Sequence, residues 1–364
     1  MENAGNNRDS RGAGRIACLD TAKGIALVLV LFGHCFRDSM RQNSEVCAFL
    51  YNFVYAFHVP LFFFASGVCY SLGRKRYRAQ SCGRMAAARM RAYLLPWFSY
   101  AMLIYLMYFV AQYIGPLARL LPSGGQVLPL TQYLWQMLRN ENPYAFHLWY
   151  LYTVFLFFVF IRLIDRFQDE RRFRGLLLAL ILACNLCYLC FAKELCWAIK
   201  SFFQQLTFFL AGVLISMDFL LRHRRRLAAA GLPCALGVAA LLLVPQLRAL
   251  ETGGFLQQAL QLTLRRIFVV GLILAIVAAS AAWEKTAAGR GLGLLGRNSL
   301  AWYLYHQPFC CAMLGGLLYD ALGLPLGFCV AACFAASLLV PAMILRLVRL
   351  LRLDGLCRRL GLPC

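Results

Sequence analysis

Apolar runs long enough to cross a bilayer recur along this chain, and short clusters of Arg and Lys punctuate them. A helix needs about 20 mostly apolar residues to span a hydrocarbon core. The first such helix begins near Ile16, and others follow over residues 49–72, 92–113, 147–161 and 175–191. Further runs cover residues 199–217, 227–245, 267–283, 298–319 and 324–348. Composition agrees, because 62% of the residues are hydrophobic, 14% are charged, and the mean hydropathy is +0.65. A soluble protein sits nearer half apolar and a quarter charged. The expected fold is all-α, a polytopic membrane protein of about ten transmembrane helices, since barrel strands would alternate in polarity.

The loops give that helix count an orientation. Arg74, Lys75, Arg76, Arg78, Arg84, Arg89 and Arg91 lie between the second and third spans. Arg222, Arg224, Arg225 and Arg226 lie between the sixth and seventh, and Arg346, Arg349, Arg352, Arg358 and Arg359 close the chain. The alternate connections, residues 37–49 and 112–146, carry little net charge. Positively charged loops stay in the cytoplasm, so both termini are expected there, with the protein in the plasma (inner) membrane. The expected layout is a polar cytoplasmic tail over residues 1–15, one transmembrane domain over 16–350, and a basic cytoplasmic tail over 351–364. No small-residue cleavage site follows the first apolar run, which reads as a retained span. Within residues 112–146, Pro116, Pro122, Pro129, Pro143 and Gly124-Gly125 exclude one straight helix, and residues 130–138 with Trp135 suit the outer interface.

Two classes of partner are not expected. The net charge of +22 would suggest nucleic acid in a soluble protein, but here it is dispersed among loops between spans. Sixteen cysteines lie mostly inside apolar runs, where Cys behaves as a small hydrophobe. Cys184, Cys187 and Cys190 repeat every three residues, yet no His stands at ligand spacing, so neither a metal nor an essential disulfide is expected.

Chemistry concentrates on a few ionisable residues inside the apolar runs. In the first helix Lys23 and His34 are eleven positions apart. At about 100° per residue they return to one face, roughly 16 Å apart along the axis. Asp20 stands at i,i+3 to Lys23 and suits a pair with it. His34, His58, His147 and His306 all fall within or at the edge of apolar runs, and several imidazoles at membrane depth point to a site. The other histidine, His223, belongs to the solvated basic run Arg222–Arg226. Pro60 frees a backbone carbonyl near His58, while Ser66 and Gly67 permit close helix approach. Asn298 is a candidate N-cap for the run that carries Tyr303 and His306 on one face.

Four motifs, taken in order, resemble the membrane-bound acyltransferase family three, and within it the fucose 4-O-acetylase-like branch. They are Asp20…Lys23-Gly24-Ile25-Ala26…Gly33-His34, Phe57-His58-Val59-Pro60-Leu61-Phe62-Phe63-Phe64-Ala65-Ser66-Gly67, His147-Leu148-Trp149-Tyr150-Leu151 and Asn298-Ser299-Leu300-Ala301-Trp302-Tyr303-Leu304-Tyr305-His306. The resemblance covers nearly the whole chain. Many members carry Arg where this chain has Lys23, so a point charge replaces a bidentate phosphate grip.

The resemblance implies an integral-membrane O-acyltransferase, an enzyme moving an acyl group, acetyl above all, from cytoplasmic acyl-CoA to a hydroxyl. The acceptor would be a cell-surface carbohydrate or a related cell-envelope molecule. It implies Lys23 as the residue that binds the acetyl-CoA donor and His34 as general base or transient acyl carrier, with His58 as the second catalytic candidate. His147, Trp149, Tyr303 and His306 are the candidate acceptor-binding residues. A positioned base is worth about 10²–10⁴-fold in such a transfer. The alternative is a proton-coupled small-molecule transporter using the histidines as a relay, although no paired half-repeats with interrupted helices are evident.

Overall fold

The computed structural model describes residues 6–115, 126–165, 170–192 and 194–364. The start of the polar tail, residues 1–5, and Pro116, Pro122 and Gly124-Gly125 lie outside the described residues. All assigned secondary structure is helical. The first elements are α1 (Asn6–His34), α2 (Glu45–Ala79), α3 (Cys82–Ala111), α4 (Leu130–Leu138) and α5 (Phe146–Asp165). They are followed by α6 (Glu170–Phe191), α7 (Trp197–Leu214), α8 (Arg224–Leu243) and α9 (Phe255–Trp283). The last are α10 (Ala287–Arg297), α11 (Ser299–Tyr305), α12 (Phe309–Ala321) and α13 (Leu326–Leu350).

Eight of these are long and apolar enough to cross a membrane, namely α1, α2, α3, α5, α6, α8, α9 and α13. The protein is therefore a multi-pass helical membrane protein. Two further positions expected to hold spans differ for physical reasons. Helix α7 carries Lys200, Gln204 and Gln205, which lower its apolarity. The run over residues 298–319 is not one helix: α11 stops at Tyr305 and α12 starts at Phe309. Pro308 between them has no N–H for the helical ladder and disfavours helical geometry in the residue before it. Asn298 lies at the junction directly before α11. It closes α10, with its Nδ2 donating to the Leu294 carbonyl at 2.9 Å. Helix α9 starts at Phe255 rather than near Ile267, because Gln257, Gln258, Gln261, Arg265 and Arg266 interrupt the apolar run without breaking the helix.

The chain forms two compact, interleaved units. The first comprises Met1–Gly33, Ser44–Gly73 and Thr207–Ser299, and the second comprises His34–Asn43, Arg74–Leu206 and Leu300–Cys364. The first unit is built on two helix crossings made at glycine. On α1 and α10, a Cβ at Gly24 would collide with the Leu292 carbonyl, and one at Gly296 with the Asp20 carbonyl. On α2 and α7, a Cβ at Gly67 would collide with the Phe209 carbonyl, and one at Gly212 with the Phe64 carbonyl. Each crossing is reciprocal, one glycine from each partner, so the backbones touch directly. Thr21 on α1 adds a hydrogen bond from its hydroxyl to the Gly289 carbonyl at 3.3 Å. In the apolar window of α8, which also belongs to this unit, only 11% of the residues are buried inside the protein.

The second unit is built on tyrosine. Trp97, Tyr100, Tyr105 and Tyr108 of α3 pack with Tyr133, Tyr144, Leu148 and Tyr305 in one buried cluster. Their hydroxyls hold the connection between α4 and α5. Tyr133 donates to the Ala101 carbonyl at 2.7 Å, Asn142 Nδ2 donates to the Tyr133 hydroxyl at 2.9 Å, and the Leu128 amide donates to the Tyr144 hydroxyl at 2.8 Å. The aromatic bodies supply apolar area while each polar tip finds a partner.

These crossings predict which glycines tolerate a methyl group. Gly67→Ala is expected to cost about 1–3 kcal/mol, the range for overpacking a close contact. Gly83→Ala, where nothing lies within 4 Å of an added Cβ, is expected to leave stability unchanged or slightly raised. Melting curves of the two variants in the same detergent check this, and equal melting temperatures would contradict it.

Candidate active site

The second unit brings three of the sequence-predicted histidines together. His34 is the last residue of α1, His147 lies in the turn that opens α5, and His306 follows the end of α11. The His34 and His306 rings have centroids 5.1 Å apart, and the His306 and His147 rings 5.5 Å. His306 is 0% exposed and His147 8%, whereas His34 is half-buried. His34 is therefore the most exposed ring of the three.

The sequence places these rings by local rules. His306 turns its Nδ1 back to the Trp302 carbonyl at 2.9 Å, one helical turn earlier. A carbonyl only accepts, so Nδ1 carries the proton and Nε2 presents its lone pair. That Nε2 is buried without a hydrogen-bond partner, and so is Nε2 of His147. Buried polar atoms are nearly always satisfied in folded proteins, so each one that is not calls for an explanation. The main chain at His147 is pinned, because the Tyr303 hydroxyl donates to its carbonyl. Tyr303 also sets its ring 5.9 Å from that of His147 and 6.4 Å from that of His306. The connection ahead of His147 is fixed by Asn142, whose Oδ1 accepts from the Tyr144 and Ala145 amides at 3.0 Å each. Trp149 is half-buried and stands edge-on to Trp197 at 5.7 Å.

Lys23 and His58 belong to the first unit. Lys23 lies 3.8 Å from Asp20, the expected i,i+3 pair, and donates to the Cys69 sulfur at 3.7 Å. His58 is buried in α2, with Nδ1 donating to the Val54 carbonyl at 2.7 Å and its ring edge-on to Tyr55. It thus shares the backbone-directed Nδ1 of His306. The structure groups His58 with Lys23 in the first unit and gathers His34, His147, His306, Tyr303 and Trp149 in the second.

Several residues around the cluster were not singled out from sequence. Tyr100 packs edge-on to His147 at 6.3 Å and donates its hydroxyl to the Gln307 carbonyl at 2.7 Å, so it braces the residue after His306. Beyond His34, Arg37 forms an ion pair with Asp320 at 2.9 Å and donates to the Ala312 carbonyl, while Ser39 donates to Asp320 at 2.6 Å. These bonds tie the segment after His34 to α12. Tyr100 is 47 positions from His147 and Arg37 is 283 from Asp320, so no local periodicity signals either pairing. Cys35, Cys310, Cys311 and Cys333 form a buried sulfur cluster in the same unit. Among the described residues, no group of three or more His, Cys, Asp and Glu side chains is disposed to hold a metal ion.

A multi-pass helical membrane protein with an imidazole cluster among its buried aromatic residues is the class that fold and site define. Residues 16–346 match the family model described as an acyltransferase domain, that of acyltransferase family three. The match takes in most of the chain, which therefore belongs to the acyltransferase 3 family of membrane-bound acyltransferases. No curated relative and no solved structure matches the chain.

One ion pair near the site gives a pH prediction. Glu141 accepts from Arg139 at 2.8 Å and from the Trp197 amide at 3.1 Å, so it anchors the first turn of α7. The Arg139 guanidinium holds the Glu141 carboxyl below its ordinary value of 4.5. A depressed carboxyl contributes stability that is complete above the unfolded value and is lost as pH falls through the folded one. The melting temperature of the native protein is expected to fall more steeply than that of Glu141→Gln as pH drops below 4.5. Parallel slopes for the two proteins would show that the pair contributes nothing.

Proposed function

We propose that this protein moves an acyl group, acetyl in the reading of its motifs, from cytoplasmic acyl-CoA to a hydroxyl of a cell-surface carbohydrate or related envelope acceptor. The observation that carries this reading is the His34–His306–His147 cluster, with two buried Nε2 atoms lacking partners beside a half-buried His34. An alcohol has a high pKa and is a poor nucleophile, so a positioned imidazole is what the transfer needs. In the proposed step His34 takes the hydroxyl proton as the acceptor oxygen bonds to the thioester carbonyl carbon. The carbon–sulfur bond then breaks and the proton passes to the leaving thiolate. A variant of this step lets His34 carry the acyl group between the two halves of the reaction. The unpartnered nitrogens of His147 and His306 accept hydrogen bonds from acceptor hydroxyls, and Trp149 and Tyr303 give a sugar ring apolar faces to lie against.

Donor binding is assigned to the basic side chains at the other end of the helices. Lys23 supplies one charge, tempered by its pair with Asp20. Lys75, Arg76, Arg78, Arg84 and Arg91 are exposed in the second unit, a charge set that suits the donor's phosphates. The loop charges support an orientation with both termini cytoplasmic and placement in the plasma membrane. His58 is kept as a second catalytic candidate, on its buried ring with Nδ1 fixed by backbone. Family membership favours transfer over the transport alternative.

The test is thioester turnover by the purified protein in nanodiscs with acetyl-CoA and candidate glycans. His34→Ala is expected to lower acceptor-dependent CoA release by about 10²-fold or more while leaving insertion and melting unchanged. Turnover within a few fold of the native rate would remove His34 from the chemistry. Substrate flux without CoA release would favour the transporter.

A further inference from the structure

The first unit contains a cavity of about 480 Å³ between the start of α2, the end of α8 and the first turns of α9. It is within the range of about 300–1,000 Å³ typical of small-molecule sites. Its polar lining comprises Glu45, Asn52, Arg248, Glu251, Gln261 and Arg265. The α2 contribution comes from positions spaced three or four apart, one stripe of that helix. His58 stands six positions after Asn52, about 240° around the helix, and is not part of the lining. The cavity therefore opens on a face of α2 other than the one that carries the imidazole.

Two observations point to a ligand. Among the described residues, none of the four charged groups in the lining forms an ion pair, although two are acidic and two basic. Glu45, Arg248 and Glu251 reach solvent and Arg265 is half-buried, so all four stand unpaired and open to a ligand carrying both signs of charge. In addition, Arg265 lies ten residues into α9, about 15 Å along its axis. The Arg265 side chain is half-buried, and a guanidinium withdrawn from water is costly unless it meets a partner or a polar cavity. The neighbouring Arg266 stacks over the Phe208 ring at 4.8 Å, but Arg265 turns into the cavity.

We propose that this cavity binds the headgroup of a zwitterionic glycerophospholipid bearing a primary ammonium. A bare phosphate would satisfy Arg248 and Arg265 but face two carboxylates, and a bare cation would face two guanidinium groups. A phosphodiester joined to an ammonium satisfies both pairs in one molecule. The phosphate lies against Arg248 and Arg265, the ammonium against Glu45 and Glu251, and Asn52 and Gln261 hydrogen-bond the ester oxygens. The rest of the wall is apolar, with Phe49 and Ala56 of α2 and Val238, Leu241, Leu242 and Leu243 of α8, and the acyl chains leave along the end of α8, few of whose residues are buried inside the protein.

Native mass spectrometry of the full-length protein, released from detergent with either dioleoyl phosphatidylethanolamine or dioleoyl phosphatidylglycerol, tests this. One phosphatidylethanolamine is expected to be retained in preference to phosphatidylglycerol. Arg265→Gln is expected to lower its occupancy about tenfold, the loss of one charge-assisted hydrogen bond, while Arg265→Lys keeps most of it. Should Arg265→Gln fail to fold, Glu251→Gln on the exposed loop is expected to lower phosphatidylethanolamine retention without lowering that of phosphatidylglycerol. Equal retention of the two lipids by the native protein, or phosphatidylethanolamine retention unchanged in both variants, would overturn the proposal.

Discussion

Helices in lipid gain little from hydrophobic association, since the tails around them are as apolar as their own side chains. Close backbone contact must then supply the dispersion energy that a soluble core draws from area burial. In this protein four glycines provide it, Gly24 against Gly296 and Gly67 against Gly212, each standing where any Cβ would strike a carbonyl. The first crossing fixes α1 against α10 beside Asp20 and Lys23, and the second fixes α2 against α7 within three turns of His58. The candidate residues of the first unit, Lys23 and His58, thus lie near the closest backbone contacts of their helices.

The second unit solves a different problem. It must hold polar groups inside a membrane domain without leaving them unpaired, because each orphan costs about 1–3 kcal/mol. The tyrosine cluster does this economically: Tyr133, Tyr144, Asn142 and the Ala101 and Leu128 backbone groups satisfy one another in a closed set. Against that background the bare Nε2 atoms of His147 and His306 stand out. Arg41, Arg89, Arg162, Trp197 and Gln205 of this unit also carry a buried polar atom without a partner, but among the described residues only at His147 and His306 do two such atoms belong to rings in contact with each other.

Much of this was legible in the sequence, and the gaps have physical causes. Residues 130–138, set apart in the sequence as suited to the outer interface, form α4, bounded by Pro129 and followed by a polar turn. Hydropathy missed the start of α9, since glutamines and arginines that line a cavity look like loop residues to any scale that scores apolarity alone. It also joined α11 to α12 through Pro308, whose effect on the backbone outweighs the apolar run around it. The histidines were recognisable because an imidazole in an apolar run is rare on energetic grounds. Their grouping was not, because His34, His147 and His306 come from distant segments and only tertiary packing decides which three meet. His58, equally prominent in sequence, folds into the other unit.

The choice of imidazole over carboxylate for such a cluster follows from the medium. Burying an ionised carboxylate in a low-dielectric interior is expensive, and a protonated one has lost its power to accept a proton. A neutral imidazole avoids both penalties, since it carries no charge and still presents a basic lone pair. That lone pair is useful only if the tautomer is fixed, and the helix fixes it without any additional residue. His306 directs Nδ1 to the carbonyl four positions back at 2.9 Å, and His58 does the same at 2.7 Å. Placing a histidine one helical turn after a free carbonyl acceptor therefore selects, through the backbone alone, an Nε2 able to accept a proton or a hydroxyl. Aromatic rings pack around both His147 and His306, with Tyr100 and Tyr303 against His147 and Tyr303 against His306.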